Sequence, residues 1–468
     1  MCPSSIDAYA RHAQHYLNEI KTANQFYRQG QKLQGLEQVD QALDQIMYAQ
    51  QQMLAYITQS DKLAHLYSDY LYYGAAQLGH RLSYRDLIRW LDQALTIAER
   101  LDDNEAQSVH LHNLGLTHFY AGHYATALDY QHRAMILQQQ LQDWQAVGET
   151  LGSLGILYRN LGEYEQALSY HQQGLAIARK IESKASESQQ LGNLGNVFIH
   201  QRKFEEAITH YQQALTLATE IDDPEAIASH LNNLGEAYRY LGNNETALQC
   251  YEDALQLAEQ MQDKQATGNC LNNMGLIYRR QQAYPLAIDH FARAIAISQE
   301  IGDRRGEGNR TANLAGVYYT VGDYAIARSY YEQAVQIHRN INNLPSLEAV
   351  LSDLGMTYTK LDQPAEAIPF LQQAVEIAAT LKDSYVHELD YARLALAYTA
   401  MNDLPQAIQA YLSAAQLAEQ QTRRTHASEY LRLIASLFND LGQQEQAVHY
   451  LIRAKALAHD ETAPDSLD

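Results

Sequence analysis

Residues 231–242, LNNLGEAYRYLG, have a near copy forty residues later, LNNMGLIYRRQQ, and another forty residues earlier, LGNLGNVFIHQR. Laid out in rows of forty from Leu71, the chain fills ten rows, the last cut short by the C-terminus, with no insertion or deletion. Self-similarity at a fixed period of this size is the signature of a solenoid, in which stacking buries the faces that no single repeat can bury alone. Catalytic strings have no reason to recur at such an interval.

Two columns of small residues run through the rows. One is Ala127, Ala167, Ala207, Ala247, Ala287, Ala327, Ala367, Ala407 and Ala447, with Leu87 in the first row; the other runs from Ala94 and Ala134 through Gly174 to Ala454. Small side chains recur where two helices must approach closely, and larger ones there would overpack the contact by roughly 1–3 kcal/mol. Within a row, Leu231, Leu234, Gly235, Tyr238 and Leu241 follow the i, i+3, i+4, i+7 spacing of one helix face; Ala247, Leu248, Tyr251, Ala254, Leu255 and Ala258 repeat it in a second helix. Gly122, Gly162, Gly242, Gly322 and Gly442, with Asp362 and Asn402 in the same column, are residue types that tolerate the left-handed turn closing the first helix. Asp103, Asp143, Ser183, Asp223, Asp263, Asp303, Asn343 and Asp383 form a column of N-cap residues for the next, with Pro224 at the favoured first position. Two helices of about sixteen to eighteen residues, each roughly 25 Å long, fill a row. Pro369, inside a second helix, is expected to remove one backbone bond and kink it.

The consensus L-x-N-L-G-x-x-Y-x-x-x-G-x-[YF]-x-x-A-x-x-x-[YF]-x-x-A resembles the tetratricopeptide (TPR) helix pair. Its forty-residue form is similar to the LGN/Pins polarity adaptors and to kinesin light chains; the stretch IGDRRGEGNRTANLAGVYYTVGDY at 301–324 carries that likeness furthest. The expected fold is therefore an all-α, right-handed α-solenoid. Residues 1–70 are read as a helical N-terminal cap or degenerate repeat, with helices at 5–30 and 35–59. Ten repeats then start at 71, 111, 151, 191, 231, 271, 311, 351, 391 and 431 and run to 458, and residues 459–468 are read as a disordered tail.

In a TPR-like superhelix the first helix of each repeat lines the concave groove, at positions two before and two, five and nine after each row start. Successive rows place there Glu149, Ser153, Ile156 and Asn160; Gln189, Asn193, Asn196 and His200; Ser229, Asn233, Glu236 and Tyr240; then Asn269, Asn273, Leu276 and Arg280; and Asn309, Asn313, Gly316 and Thr320. Asn113, Asn193, Asn233, Asn273 and Asn313 form a ladder in helix interiors, where asparagine is a poor helix former. A carboxamide can clamp the main chain of an extended peptide, as groove asparagines do in the families resembled; equally, each could bond a neighbouring repeat and set the stacking angle. Asn113, Asn193, Asn196, Asn233, Tyr240, Asn269, Asn273, Arg280, Asn309 and Asn313 are the candidate partner-binding residues. Arg159, Arg239, Arg279, Arg304, Arg305 and Arg310 are read as a flanking basic patch that favours a partner segment bearing carboxylates, or alternatively as arginines paired with Glu236, Glu245 or Glu252. Tyr158, Tyr238, Tyr278, Tyr318, Tyr358 and Tyr398 share one packing column, and Tyr211, Tyr251, Tyr331 and Tyr411 another.

A net charge of −21 argues against broad contact with nucleic acid or anionic lipid, so any positive patch is local. Three cysteines with no C-x-x-C pair suggest neither a disulfide framework nor zinc, and the N-terminus lacks the apolar core of a signal peptide; a cytoplasmic protein is expected. The 19 histidines include no i, i+4 pair and no HExxH, so no metal site is expected. No P-loop, Rossmann fingerprint or G-x-S-x-G occurs, so neither cofactor nor catalysis is indicated. Two functions remain open: a scaffold or adaptor that captures an extended, acidic segment of another protein in the groove, or a peptide- or ligand-responsive regulator or assembly chaperone of the bacterial TPR-receptor type. The balance of four Lys and Arg against five Asp and Glu in residues 1–60 does not suit a DNA-binding region.

Overall fold

A computed structural model describes residues 3–28, 32–381 and 383–459, and among these the chain is 22 α-helices joined by turns, without a strand. Of residues 459–468, expected as a disordered tail, His459 ends the last helix and 460–468 lie outside the described residues, as does Cys2. Contacts group the chain into two units, Met1–Gly242 and Asn243–Asp468. The first holds α1 (Pro3–Arg28), α2 (Lys32–Tyr56), α3 (Asp61–Gly79), α4 (Tyr84–Arg100), α5 (Asn104–Tyr120), α6 (Tyr124–Gln140), α7 (Trp144–Asn160), α8 (Tyr164–Lys180), α9 (Lys184–His200), α10 (Phe204–Glu220) and α11 (Pro224–Tyr240). The second holds α12 (Asn244–Gln260), α13 (Lys264–Arg280), α14 (Tyr284–Ile301), α15 (Arg304–Val321), α16 (Tyr324–Asn340), α17 (Leu344–Lys360), α18 (Pro364–Leu381), α19 (Ser384–Ala400), α20 (Leu404–Gln420), α21 (Arg424–Asp440) and α22 (Gln444–His459). Odd-numbered helices from α3 onward are the first of each pair, and each row start falls near the middle of one.

The helix ends follow the cap columns. Asp103, Asp143, Ser183, Asp223, Asp263, Asp303 and Asp383 each accept a hydrogen bond from a backbone N–H of the first turn. Asn343 departs from this: its carboxamide turns to Ser346 Oγ, 3.0 Å away, and makes no cap bond. Gly122, Gly162, Gly242, Gly322 and Gly442, and likewise Asp362 and Asn402, take positive φ after the first helix. A second set of left-handed residues closes the second helices, and there only Gly302 is glycine; Asp102, Gln142, Glu182, Asp222, Gln262, Asn342 and Thr422 hold φ between 52° and 59°. Helix α18 runs through Pro369.

Packing explains the small residues. Ala127, Ala167, Ala207, Ala247, Ala287, Ala327, Ala367 and Ala407 are wholly buried. Where the first helix carries a glycine, it lies beneath a large side chain of the second: a Cβ at Gly195 would stand 2.6 Å from the Tyr211 ring, and one at Gly275 2.8 Å from Phe291. Tyr211, Tyr251, Tyr331 and Tyr411 are all buried. The other tyrosine column is half-buried and stacks across the pair on a residue twelve further along, as in Tyr158 on Tyr170 (5.2 Å), Tyr318 on Tyr330 (5.7 Å) and Tyr358 on Phe370 (5.4 Å). At the N-terminal end, α1 and α2 form a pair that packs on α3, where the Tyr70 hydroxyl donates to the Ala13 carbonyl at 2.9 Å.

Within each unit the second helix of a pair packs on the first helix of the next, and successive first helices also touch, α5 on α7, α7 on α9 and α9 on α11, then α13 on α15, α15 on α17 and α17 on α19. Successive second helices make no contact of that extent. The first helices therefore line the tighter, inner side of each unit.

A buried polar column knits those helices together. Residue n bonds the first helix before it at n−42: His110 to Ser68 Oγ (2.7 Å), Gln190 Nε2 to the Gly148 carbonyl (3.2 Å), His230 to Ser188 Oγ (2.9 Å) and Tyr430 Oη to Glu388 Oε1 (3.0 Å). Ser188 donates to the Ala214 carbonyl at 2.8 Å, so it is the His230 Nε2–H that donates to Ser188. Burial pushes His110, His171 and His230 down to about 4, so all three are neutral at pH 7.

Candidate functional site

Two recesses open on the inner face of the first unit. One, of about 550 Å³, is lined by Arg159, Asn196, Ile199, His200, Arg202, Phe204, Asn233, Glu236 and Tyr240. Its wall is built by the C-terminal ends of α7, α9 and α11 and the turn into α10. Tyr240 is 45 % exposed and stacks on Phe204 at 5.0 Å and 12°, with the Arg239 guanidinium 4.5 Å from its ring centroid. Arg159 is half-buried, and among the described residues its guanidinium bonds only the neighbouring Asn160 Oδ1, at 3.3 and 3.4 Å. Burial lowers its pKa, the signature of a cation withdrawn from water without a counter-charge. Burial, and then the charge of Arg159, also hold His200 below the usual histidine range, leaving it a neutral ring at pH 7. Glu236 meets Arg239 at 3.7 Å.

The second recess, about 370 Å³, lies nearer the N-terminal halves of α7 and α9 and is lined by His112, Glu149, Gly152, Ser153, Ile156, Gln189, Gln190 and Asn193. Glu149 is exposed, receives a hydrogen bond from Gln145 Nε2 at 2.9 Å and makes no ion pair among the described residues.

The asparagine ladder divides by row. Asn113, Asn193 and Asn233 in the first unit and Asn309 in the second make no side-chain hydrogen bond among the described residues, although the first three are half-buried. Others bond within the fold. Tyr211 Oη donates to Asn196 Oδ1 at 2.6 Å, Asn313 Nδ2 donates to Asn272 Oδ1 one repeat earlier at 2.9 Å, and Asn272 Nδ2 donates to Asn273 Oδ1 at 3.3 Å. Asn269 Oδ1 accepts from Arg310 at 2.8 Å.

Arg310 corrects the expected basic patch. It is 3 % exposed and occupies the buried polar column, bonding Ser298 Oγ and Asn269 Oδ1 with Asp303 Oδ2 at 3.6 Å, because its position faces the junction between first helices and not the inner surface. Arg304, six residues earlier, is exposed and pairs with the buried Glu307. Arg279 is half-buried over Gly316, where an added Cβ would stand 2.8 Å from its Nη1; Arg280 and Arg305 are exposed. Three residues of the Arg159 recess fall outside the expected set. Arg202 sits at a positive-φ turn position, off the helix face that the periodicity describes, and Ile199 and Phe204 do not occupy the groove positions counted from each row start.

Among the described residues no group of three or more His, Cys, Asp or Glu is placed to hold a metal. Burial pushes the Cys250 thiol up to about 11 and that of Cys270 up to about 12, so neither is a ready nucleophile. No helix among the described residues is long and apolar enough to cross a membrane.

Helix pairs of similar length, stacked within each unit so that its first helices share an inner face, define the class of tandem helical-repeat proteins. The chain belongs to the tetratricopeptide repeat family, which matches residues 124–180, 188–260, 226–300, 265–340 and 309–380. No curated protein matches it. Among solved structures it is similar to a signal-transduction ATPase with a tetratricopeptide repeat sensor from Pyrococcus horikoshii, at 16 % identity and a TM-score of 0.55; 80 % of this chain and 56 % of that one are covered. BtubC (BKLC) from P. vanneervenii matches at 20 % identity and a TM-score of 0.43, over 47 % of this chain and 92 % of that one. The apo form of the quorum sensor NprR from B. thuringiensis matches at 15 % identity and 0.48, over 77 % and 99 %.

Proposed function

We propose that the protein is an interaction scaffold whose inner face captures an extended segment of another protein, with a carboxylate of that segment entering the recess at Arg159. The observation that carries this reading is Arg159 itself, half-buried and without a carboxylate partner in a chain of net charge −21. A buried cation lacking a counter-charge is costly, and a ligand carboxylate offers a bidentate, charge-assisted pair. Arg202 adds a second charge at the rim, His200 a neutral donor, and the unbonded carboxamide of Asn233 a clamp for peptide main chain. Asn113 and Asn193 in the first unit, and Asn309, Arg280 and Arg305 in the second, extend the same chemistry along each inner face. The partner is a protein in the cytoplasm, not a nucleic acid or a membrane.

The test is affinity capture by the wild-type chain and by Arg159→Glu/Arg202→Glu, read by mass spectrometry, with circular dichroism as the control for folding. Loss of the main captured proteins from a folded variant supports the reading. An unchanged captured set overturns it.

A further inference from the structure

The two recesses of the first unit are opposite in charge. Arg159 and Arg202 dominate one, whereas Glu149 is the sole formal charge in the other if His112 is neutral, and burial holds the His112 pKa down. Both charges that matter stand on one rigid helix: Glu149 and Arg159 are ten residues apart on α7, about 15 Å along the axis. Asn193 and Asn196, on α9, lie one in each recess, so the polar lining is continuous between them. Among the described residues neither charge meets an opposite one in an ion pair: the Arg159 guanidinium bonds Asn160 and the Glu149 carboxylate accepts from Gln145.

We infer that the captured segment is bipolar, with an acidic side chain at Arg159 and a lysine or arginine four residues away at Glu149. An extended chain rises about 3.3 Å per residue and its side chains alternate between faces, so i and i+4 share a face about 13 Å apart. The long stem of a basic side chain spans the remainder. Two residues apart, about 7 Å, falls short. Charge complementarity thus selects the spacing as well as the sign. This inference rests on the proposed function above and adds the second charge and the spacing to it.

Fluorescein-labelled Gly/Ser peptides provide the test, titrated by anisotropy at low salt against the full chain. One carries Asp alone, one Asp-Ser-Gly-Ser-Lys, and one Asp-Ser-Lys. The four-apart peptide is expected to bind at least tenfold more tightly than Asp alone, and the two-apart peptide within twofold of it. Glu149→Gln removes the tenfold increment and leaves the Asp-only peptide within twofold of wild type. Equal binding of the four-apart and Asp-only peptides, or an increment that survives Glu149→Gln, overturns the inference while the scaffold reading stands. If no peptide binds, or if Arg159→Gln changes none of them, both fall together.

Discussion

The buried polar side chains tie stability to pH in two opposite senses. His110, His171 and His230 are held near 4 in the folded chain against about 6.5 when unfolded, so between those values the unfolded chain binds more protons and acidification favours it. Their stabilisation is complete above pH 6.5 and declines as pH falls toward 4, by up to about 1.4 kcal/mol per pH unit for each histidine. Thermal melts from pH 7 to 4.5 should show this decline, and His230→Gln, which puts at 230 the residue found at 190, should make it shallower. Glu348 behaves oppositely. Burial, and then the neighbouring Asp390 carboxylate, push its pKa up, so above the ordinary glutamate value the folded chain retains a proton that the unfolded chain has released. Stability from this group is therefore lost as pH rises from there through neutrality. Glu348→Gln should raise the melting temperature relative to wild type more at pH 8 than at pH 5; equal shifts at both values would contradict the assignment. The apolar periodicity does not mark these positions as buried, because the column of His110, Thr150, Gln190, His230, Arg310 and Asp390 is polar, as are His171 and Glu348, and only the structure shows them withdrawn from water. Arg310 was misplaced for the same reason.

At the scale of the element, the helices were legible because each boundary carries a local chemical signal: an aspartate accepting at the N-cap, an alanine where pairs close, a left-handed residue at the end of the first helix. The turns after the second helices carried a weaker signal, since Gly302, Asp102, Asp222 and Asn342 are types that tolerate the left-handed region but Gln142, Glu182, Gln262 and Thr422 are not. Thr422 is the most strained of these by type, a β-branched residue at φ 59°. Thr422→Gly should stabilise the chain by about 1 kcal/mol, since left-handed backbone costs a side chain roughly 1–2 kcal/mol and glycine loses part of that gain to entropy. Denaturant titration would show it as a higher midpoint at constant slope. In the interior the sign reverses: Gly275→Val, with no room beneath Phe291, should destabilise by about 2–3 kcal/mol.

For the molecule as a whole, charge and site oppose each other. A chain of −21 repels an acidic segment at long range, whereas the capture proposed at the Arg159 recess acts at short range, and a bipolar ligand would soften that conflict. Salt screens exposed charges over about 8 Å at physiological strength and buried ones less. Capture of the four-apart peptide should therefore weaken by no more than about tenfold between 50 and 500 mM NaCl, while contact confined to the exposed Arg202 would vanish. Anisotropy titration across that range distinguishes the two.

The n−42 bonds carry one more consequence. Repeats with interchangeable backbones are commonly imagined as beads that recombination can add, drop or reorder, but here the hinges do not all carry the same lock: a histidine is fitted to a serine at two of them, a glutamine to a bare carbonyl at a third and a tyrosine to a carboxylate at a fourth. Excising one forty-residue module would leave a key facing the wrong lock in the dry seam, so the order of the repeats is itself written into the protein.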